Sequence, residues 1–401
     1  MERIITGVFG FTLLGLVLFS FYACEDDNPS PFGDENVFLA LHLDGSNIGP
    51  DSYFSLMTIN NGTAEFERLQ DVFPSGTRHN WLNRVDAANG IVGMSLHDDL
   101  CPATLAGMLT PRRGFWFDIS SAMGDTLPVL PPNSPWGISN TVKRYSLMDE
   151  TSIQVSESGH VFYISGSHEY HWVDSYREAM VRYDINNGEL KKAESPKGFV
   201  LGQEDVGSQY DFYKFQKPIY PSKDGRYVYG AVQAYGTSGG QLIWGPRILF
   251  EYDYNASSYR RLGDPGETGV TVYGITADRS HLLYFGSGEM KRISLGTGQT
   301  AVLHNISGSY LNRACWNNGG FVRGSNLKAI RYDNIMEDVQ IEIPAPASTF
   351  APQFSADGNR VYYHFSSGSK NYLLVTSDLS TEAVTDTVAV LPDNVRIMVL
   401  R

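Results

Sequence analysis

Cysteine is scarce in this chain of 401 residues: three are present, Cys24, Cys101 and Cys315. That number excludes a disulfide-stapled scaffold and a four-cysteine zinc ribbon. Positive charge is also in short supply, with 31 Lys and Arg against 44 Asp and Glu, a net charge of −13. Without a Lys/Arg run the chain has no electrostatic footprint for a polyanion, so nucleic acid is not an expected partner. Long apolar stretches are confined to the N-terminus. The His-Glu-x-x-His spacing of a helical zinc protease does not occur. The nearest match to a nucleophile elbow is Gly236-Thr237-Ser238-Gly239-Gly240, which is followed by loop and strand residues instead of the required helix.

What is present is a phrase repeated seven times: a short apolar strand, a tight turn and a more polar strand. It occurs at Met57 to Arg68, Phe115 to Leu130, Met180 to Lys192, Ile248 to Leu262, Met290 to Leu303, Ala329 to Ile343 and Leu373 to Val388. A second type of turn precedes most of these, at Asn89-Gly90, Ser156 to Gly159, Ser222 to Gly225, Ala277 to Ser280, Asn318-Gly319 and Ser355 to Gly358. Asn-Gly and Asp-Gly supply the positive φ angles of a two-residue turn, and the aromatic and β-branched residues after them suit a buried strand. An all-strand repeat of roughly 40 to 65 residues predicts an all-β, seven-bladed β-propeller, with six or eight blades as the alternatives. Six inner turns serve seven outer hairpins. The strand at Val395 to Leu400 therefore supplies the missing inner strand, beside Val37 to Leu43, and closes the ring.

The N-terminus reads separately. Arg3 is followed by an uncharged apolar run from Ile4 to Phe21, then Tyr22-Ala23-Cys24 and the acidic Glu25-Asp26-Asp27. A small residue at a cleavage point predicts a secretory signal over 1–23, a polar linker over 24–35 and the propeller over 36–401; a retained signal anchor is the alternative. Phe21-Tyr22-Ala23-Cys24 resembles the lipobox of a bacterial lipoprotein precursor, with Phe where Leu is usual. The resemblance implies lipidation of Cys24, and the acids that follow are similar to the surface-export signal of Bacteroidota lipoproteins. It implies a protein anchored in the outer membrane through lipid alone and facing the cell surface. Asp125-Thr126-Leu127 and Asp386-Thr387-Val388 also fit that phylum's short O-glycosylation motif. Cys101 and Cys315 fall in blades three steps apart and are read as unpaired.

The Ser-x-Asp-Gly turns leading into strands such as Arg226-Tyr227-Val228-Tyr229 and Arg360-Val361-Tyr362-Tyr363 resemble TolB-type, WD40-like propeller repeats. The resemblance covers about half the chain and implies fold more than function.

In such a fold the tight turns share one face. The longer connections, at Ser95 to Gly114, Pro131 to Glu150, Ser165 to Ala179, Glu194 to Gln216 and Ala231 to Gly245, crowd the other. Long loops in a compact domain usually carry function. These are rich in aromatics, which stack on sugar rings or planar ligands. His171, Trp172, Tyr213 and Trp244 are the expected stacking residues. Arg84 and Arg313, each six residues before a turn glycine, are the expected partners of an acidic group. His168 and His171 with Glu169 and Asp174 read as a polar rim and not as a metal site. The expectation is a ligand-binding propeller for a glycan or other nutrient, without catalytic residue, metal or cofactor. A propeller-fold polysaccharide lyase or hydrolase, and a scaffold for an outer-membrane transporter, are the alternatives.

Overall fold

The computed structural model describes residues 38–44, 51–60, 62–69, 82–97, 112–121, 123–128, 144–148, 153–169, 177–194, 210, 212–263, 267, 269–276, 278–303, 314–317, 320–323, 328–331, 339–342, 353–354, 361–367, 370–377 and 384–399. The expected signal segment, Cys24 and the polar linker lie outside them, as do Cys101, His171, Trp172 and Arg313.

The described elements are all strands, and they fall into seven antiparallel sheets in chain order. The first holds β1 (Phe38–His42), β2 (Tyr53–Asn60) and β3 (Thr63–Arg68). The second holds β4 (Leu82–Ala88), β5 (Ile91–His97), β6 (Arg112–Asp118) and β7 (Met123–Thr126). In the third are β8 (Arg144–Met148), β9 (Gln154–Val155), β10 (His160–Glu169), β11 (Arg177–Asp184) and β12 (Leu190–Glu194). The fourth is built from β13 (Phe212–Pro221), β14 (Tyr227–Ser238), β15 (Gln241–Asp253) and β16 (Ser258–Arg261). The fifth comprises β17 (Thr271–Ile275), β18 (His281–Gly286), β19 (Glu289–Ser294) and β20 (Thr300–Val302). The sixth comprises β21 (Ala314–Asn317), β22 (Gly320–Arg323), β23 (Lys328–Arg331) and β24 (Val339–Glu342). The seventh comprises β25 (Gln353–Phe354), β26 (Val361–Ser367), β27 (Lys370–Ser377) and β28 (Val384–Leu391). The last strand, β29 (Val395–Val399), pairs antiparallel with β1 from Phe38↔Val399 to His42↔Val395, giving the first sheet the order β29-β1-β2-β3.

Both faces of each strand must be covered when sheets stack on sheets, which explains strands such as Phe38 to Leu41, no more than 1% exposed. Among the described residues the core lies between consecutive sheets from the first to the fifth, and between the seventh and the first. Leu39 and Phe54 of the first meet Val92 and Phe117 of the second. Ala88 and Trp116 meet Val155 and Tyr163 of the third. Phe162 and Met180 meet Phe215 and Phe250 of the fourth, and Tyr229 and Leu249 meet Val272 and Leu282 of the fifth. Leu391, at the end of the seventh sheet, joins Phe38, Met57 and Val395.

The turns between first and second strands carry a common device. Ser222 Oγ donates to Asp224 Oδ1 (2.5 Å) and accepts from the Tyr227 amide (2.9 Å), while Asp224 Oδ1 accepts from the Arg226 amide (3.1 Å). Thr276 and Asp278 repeat it, with the His281 amide 3.0 Å from Thr276 Oγ1. Short polar side chains thus satisfy turn amides that no ladder reaches. These turns are also joined from sheet to sheet. Asn89 Nδ2 donates to Glu157 O (3.1 Å) and the Ser158 amide to Lys223 O (3.2 Å). Arg279, itself at φ 54°, donates to Pro221 O (2.5 Å) and Val155 O (3.5 Å), tying the fifth, fourth and third sheets together. Gly225 is required where it stands: at φ 67°, it would drive a Cβ to within 2.8 Å of His160 Nδ1 in the neighbouring sheet.

All five expected loops are strands in part: Ser95 to Gly114 overlaps β5 and β6, Glu194 to Gln216 overlaps β12 and β13, and the other three depart further. β8 lies inside the stretch Pro131 to Glu150 and pairs with the far half of β10, so the first strand of the third sheet is split between β8 and β9. His168 and Glu169 are accordingly strand residues, opposite Tyr145 and Arg144. Ala231 to Gly245 is no loop at all: β14 and β15 run on as one long hairpin to the turn Gly239-Gly240, whose φ angles of 60° and 78° fit a type I′ turn. The Gly-x-Ser-x-Gly match is the tip of that hairpin.

Candidate functional site

The hairpin of the fourth sheet positions the candidate site. In β14 the residues alternate: Val232 and Ala234 pack toward the third sheet, whereas Ala231 packs toward the fifth. Gln233 and Tyr235 share the face of Ala231 by the two-residue period of a strand. The ladder places Lys214 of β13 opposite Gln233, and Gln233 opposite Arg247 of β15. One step further out, Tyr235 stands opposite Trp244. A row of two cations and an amide therefore lies beneath a row of aromatics, both on the side of the fifth sheet.

Trp244 and Arg247 are three apart and in a regular strand would point to opposite faces. Here Gly245 and Pro246 together oppose Ala234, a bulge that restores Trp244 and Arg247 to one side. Pro246 has no amide to offer a ladder, and β16 begins to pair only at Phe250, so a bulge is where a proline fits. Gly245 also leaves room for Tyr210, whose ring a Cβ would meet at 2.9 Å.

Trp244 is 50% exposed, one of few large apolar side chains so placed among the described residues, and its ring lies 5.7 Å from that of the buried Tyr235 at 48°. Beneath it the amides are chained: Gln216 Nε2 donates to Gln233 Oε1 (3.3 Å), and Gln233 Nε2 to Gly245 O (3.4 Å). Arg247 donates to Thr271 Oγ1 of the fifth sheet (3.0 Å). Burial pushes the phenol of Tyr273 up, and the Arg247 guanidinium opposes that shift. The seam thus offers a flat exposed ring, fixed amides and a guanidinium held by a hydroxyl, an arrangement suited to binding.

Of the residues expected from sequence, Trp244 belongs to this site. Tyr213 does not stack there: it is 3% exposed and packs in the core between the third and fourth sheets, because its strand parity turns it away from the fifth. Arg84 lies on β4, next to a register shift, with its backbone opposite Ser95. His171, Trp172 and Arg313 are outside the described residues. Lys214, Gln233 and Arg247 were missed. The signal that finds them is the unbroken alternation Tyr229, Ala231, Gln233, Tyr235, which continues the strand past the point where glycines suggest a loop. Among the described residues no three His, Cys, Asp or Glu come together as a metal site.

No protein-family model matches the chain, and no curated protein matches it. Solved structures do. TolB from Acinetobacter baumannii is 14% identical over 85% of this chain and 79% of its own, with a TM-score of 0.39. The β-propeller domain of the trilobed protease from Pyrococcus furiosus is 8% identical over 78% and 84%, with a TM-score of 0.43. An oligogalacturonate lyase from Vibrio parahaemolyticus is 8% identical over 88% and 85%, with a TM-score of 0.46. The likeness is one of fold.

Proposed function

We propose that this chain is a lipid-anchored, cell-surface, seven-bladed β-propeller that captures a glycan or other nutrient on the rim opposite its tight turns. The observation that carries the reading is the Trp244 seam. A half-exposed indole above fixed amides and a guanidinium is costly to expose and well suited to stacking. Seven sheets, with described cores joining the first five in series and the seventh to the first, and the pairing of β29 with β1 support a closed ring. The run from Ile4 to Ala23 before Cys24 supports lipid attachment in the outer membrane. Partners on this reading are the bilayer through the lipid, the ligand, and an outer-membrane transporter that receives it.

Two experiments test it. Cys24→Ser should abolish metabolic palmitate labelling and release the protein from membranes; persistent labelling refutes the anchor. A glycan array and nutrient-binding screen on purified protein should give ligands whose binding falls at least tenfold in Trp244→Ala. Binding unchanged in that variant places the site elsewhere, and depolymerised substrate makes the protein an enzyme.

A further inference from the structure

Equivalent positions of the repeat carry different chemistry at the end where the turns are laced. In the fourth sheet the residue after the turn glycine is Arg226, which clasps Asp253 with Nη2 and Oδ2 2.7 Å apart. In the third sheet the same place holds His160, whose Nε2 lies 3.8 Å from Asp184 Oδ2. A permanent cation is thus exchanged for a group that titrates near neutrality. The turn acid is exchanged as well. Asp224 and Asp278 accept turn amides, whereas the third sheet has Ser158, with its Oγ 2.8 Å from His160 Nδ1 and 2.9 Å from Ser156 Oγ.

His160 faces the fourth sheet, as does Phe162 two residues on, which packs with Phe215 and Phe250. Gly225 lies so close that a Cβ there would stand 2.8 Å from His160 Nδ1 and 2.8 Å from Ser158 Oγ. Charged groups surround the imidazole on both sides. From its own sheet come Arg182 and Asp184 on β11, Glu189 in the next turn and Lys191 on β12. From the fourth-sheet turn come Lys223, which pairs with Glu157 at 3.8 Å, and Asp224, held by Ser222 and the Arg226 amide.

Burial, and after it the Arg182 guanidinium, hold the imidazole below its ordinary range against the smaller opposing pull of Asp184. Arg182 has no room to retreat from a second positive charge: it is buried, donates to Gly225 O at 3.1 Å and lies 5.1 Å over the Tyr254 ring. A proton on His160 therefore calls for water at the ring, and the Gly225 backbone stands in its way. The other side-chain ties described between these turns come from Asn89, Arg182 and Arg279, an amide and two guanidinium groups that neither gain nor lose a proton near neutrality.

We propose that His160 is an acid-released latch: a proton on its imidazole parts the turn 156–160 from the turn 222–225 and opens the seam between the third and fourth sheets at that end, while the strand ladders stay formed. The latch is separate from ligand capture and does not depend on it.

Hydrogen exchange read by mass spectrometry on the intact protein tests it, with protection corrected for intrinsic exchange at each pH. The reporter is the segment 156–162, whose Ser158 amide donates to Lys223 O at 3.2 Å; the comparison is 248–253 of β15. At pH 7.5 and at pH 5.0 the reporter should exchange at least tenfold faster than β15, because it opens without the rest of the fold. The closed imidazole binds its proton more weakly than the open one, so closure is complete above about pH 6.5 and weakens as pH falls below it. Reporter protection should accordingly drop at least threefold from pH 7.5 to 5.0, with a ceiling of about thirtyfold set by the ordinary imidazole value of about 6.5. His160→Gln, which does not titrate, should hold reporter protection within about twofold across that range; His160→Asn is measured beside it in case Gln does not fold. Equal wild-type protection at the two pH values, a drop retained in the His160 variants, or reporter protection equal to that of β15 overturns the latch.

Discussion

Removing residues 395–401 tests the strand that joins the two ends of the propeller domain. β29 contributes Val395, fully buried, and Ile397, 9% exposed, to a cluster with Phe38, Ala40, Met57 and Leu391. Losing two such side chains costs about 1.5–3 kcal/mol each, so about 3–6 kcal/mol together, against a total stability of about 5–15 kcal/mol. Unfolding entropy of about 2.1 cal/mol/K per residue gives roughly 0.8 kcal/mol/K for residues 37–401, and that loss becomes a fall in Tm of about 4–8 °C. The truncation also strips β1 of its partner from Phe38 to His42, leaving an apolar edge open to a second molecule. Thermal denaturation followed by circular dichroism, with light scattering after size exclusion, reads both effects. Ile397→Asp is the milder companion and should lower Tm without removing the strand. A truncated chain that melts at the wild-type temperature and stays monomeric refutes the argument.

Acid should destabilise the fold before the carboxylates titrate. Burial lowers the pKa of His42, His160 and His281, so below about pH 6.5 the unfolded chain binds protons that the native state refuses, and stability falls with pH. Asp253, held down to about 2 chiefly by its hydrogen bond from Arg226, with Asp118 and Asp278 also lowered, extends the loss below about pH 4. Urea midpoints should therefore be lower at pH 5.0 than at pH 7.5; equal or higher midpoints refute the assignment. Gly286→Ala places a Cβ 2.5 Å from Glu267 Oε1, an atom fixed by Lys291, and should cost about 1–3 kcal/mol in the same urea assay. A neutral result there refutes the fixed position of the Glu267 carboxylate.

The repeat was legible because its punctuation is local. Asn89-Gly90 takes the positive φ angles, 51° and 78°, that the dipeptide announces, and every outer hairpin read from sequence has its pair of strands. The site was less legible because it depends on parity. Tyr213 and Lys214 are neighbours in sequence, yet one is core and the other lies in the cationic row, and an aromatic-rich stretch such as Tyr210 to Phe215 does not state which residue faces which sheet. The glycines at 236, 239, 240 and 245 with Pro246 resemble loop punctuation. Two of them form a turn, and Gly245-Pro246 forms a bulge that acts only through its partner Ala234, a relation across strands that no single stretch contains.

The lacing of the first-to-second-strand turns, from Asn89 to Glu157, Ser158 to Lys223 and Arg279 to Pro221 and Val155, joins the second to fifth sheets in series through side chains and backbone that lie outside every strand ladder. From the second sheet to the fifth, neighbours part at that end only by breaking these hydrogen bonds. The seam between the fourth and fifth sheets carries a tie of its own, from Arg247 to Thr271, so these two sheets are held at the seam as well as at the laced turns. Held at both levels, the Trp244 ring and the Arg247 guanidinium keep their relative placement without help from a loop.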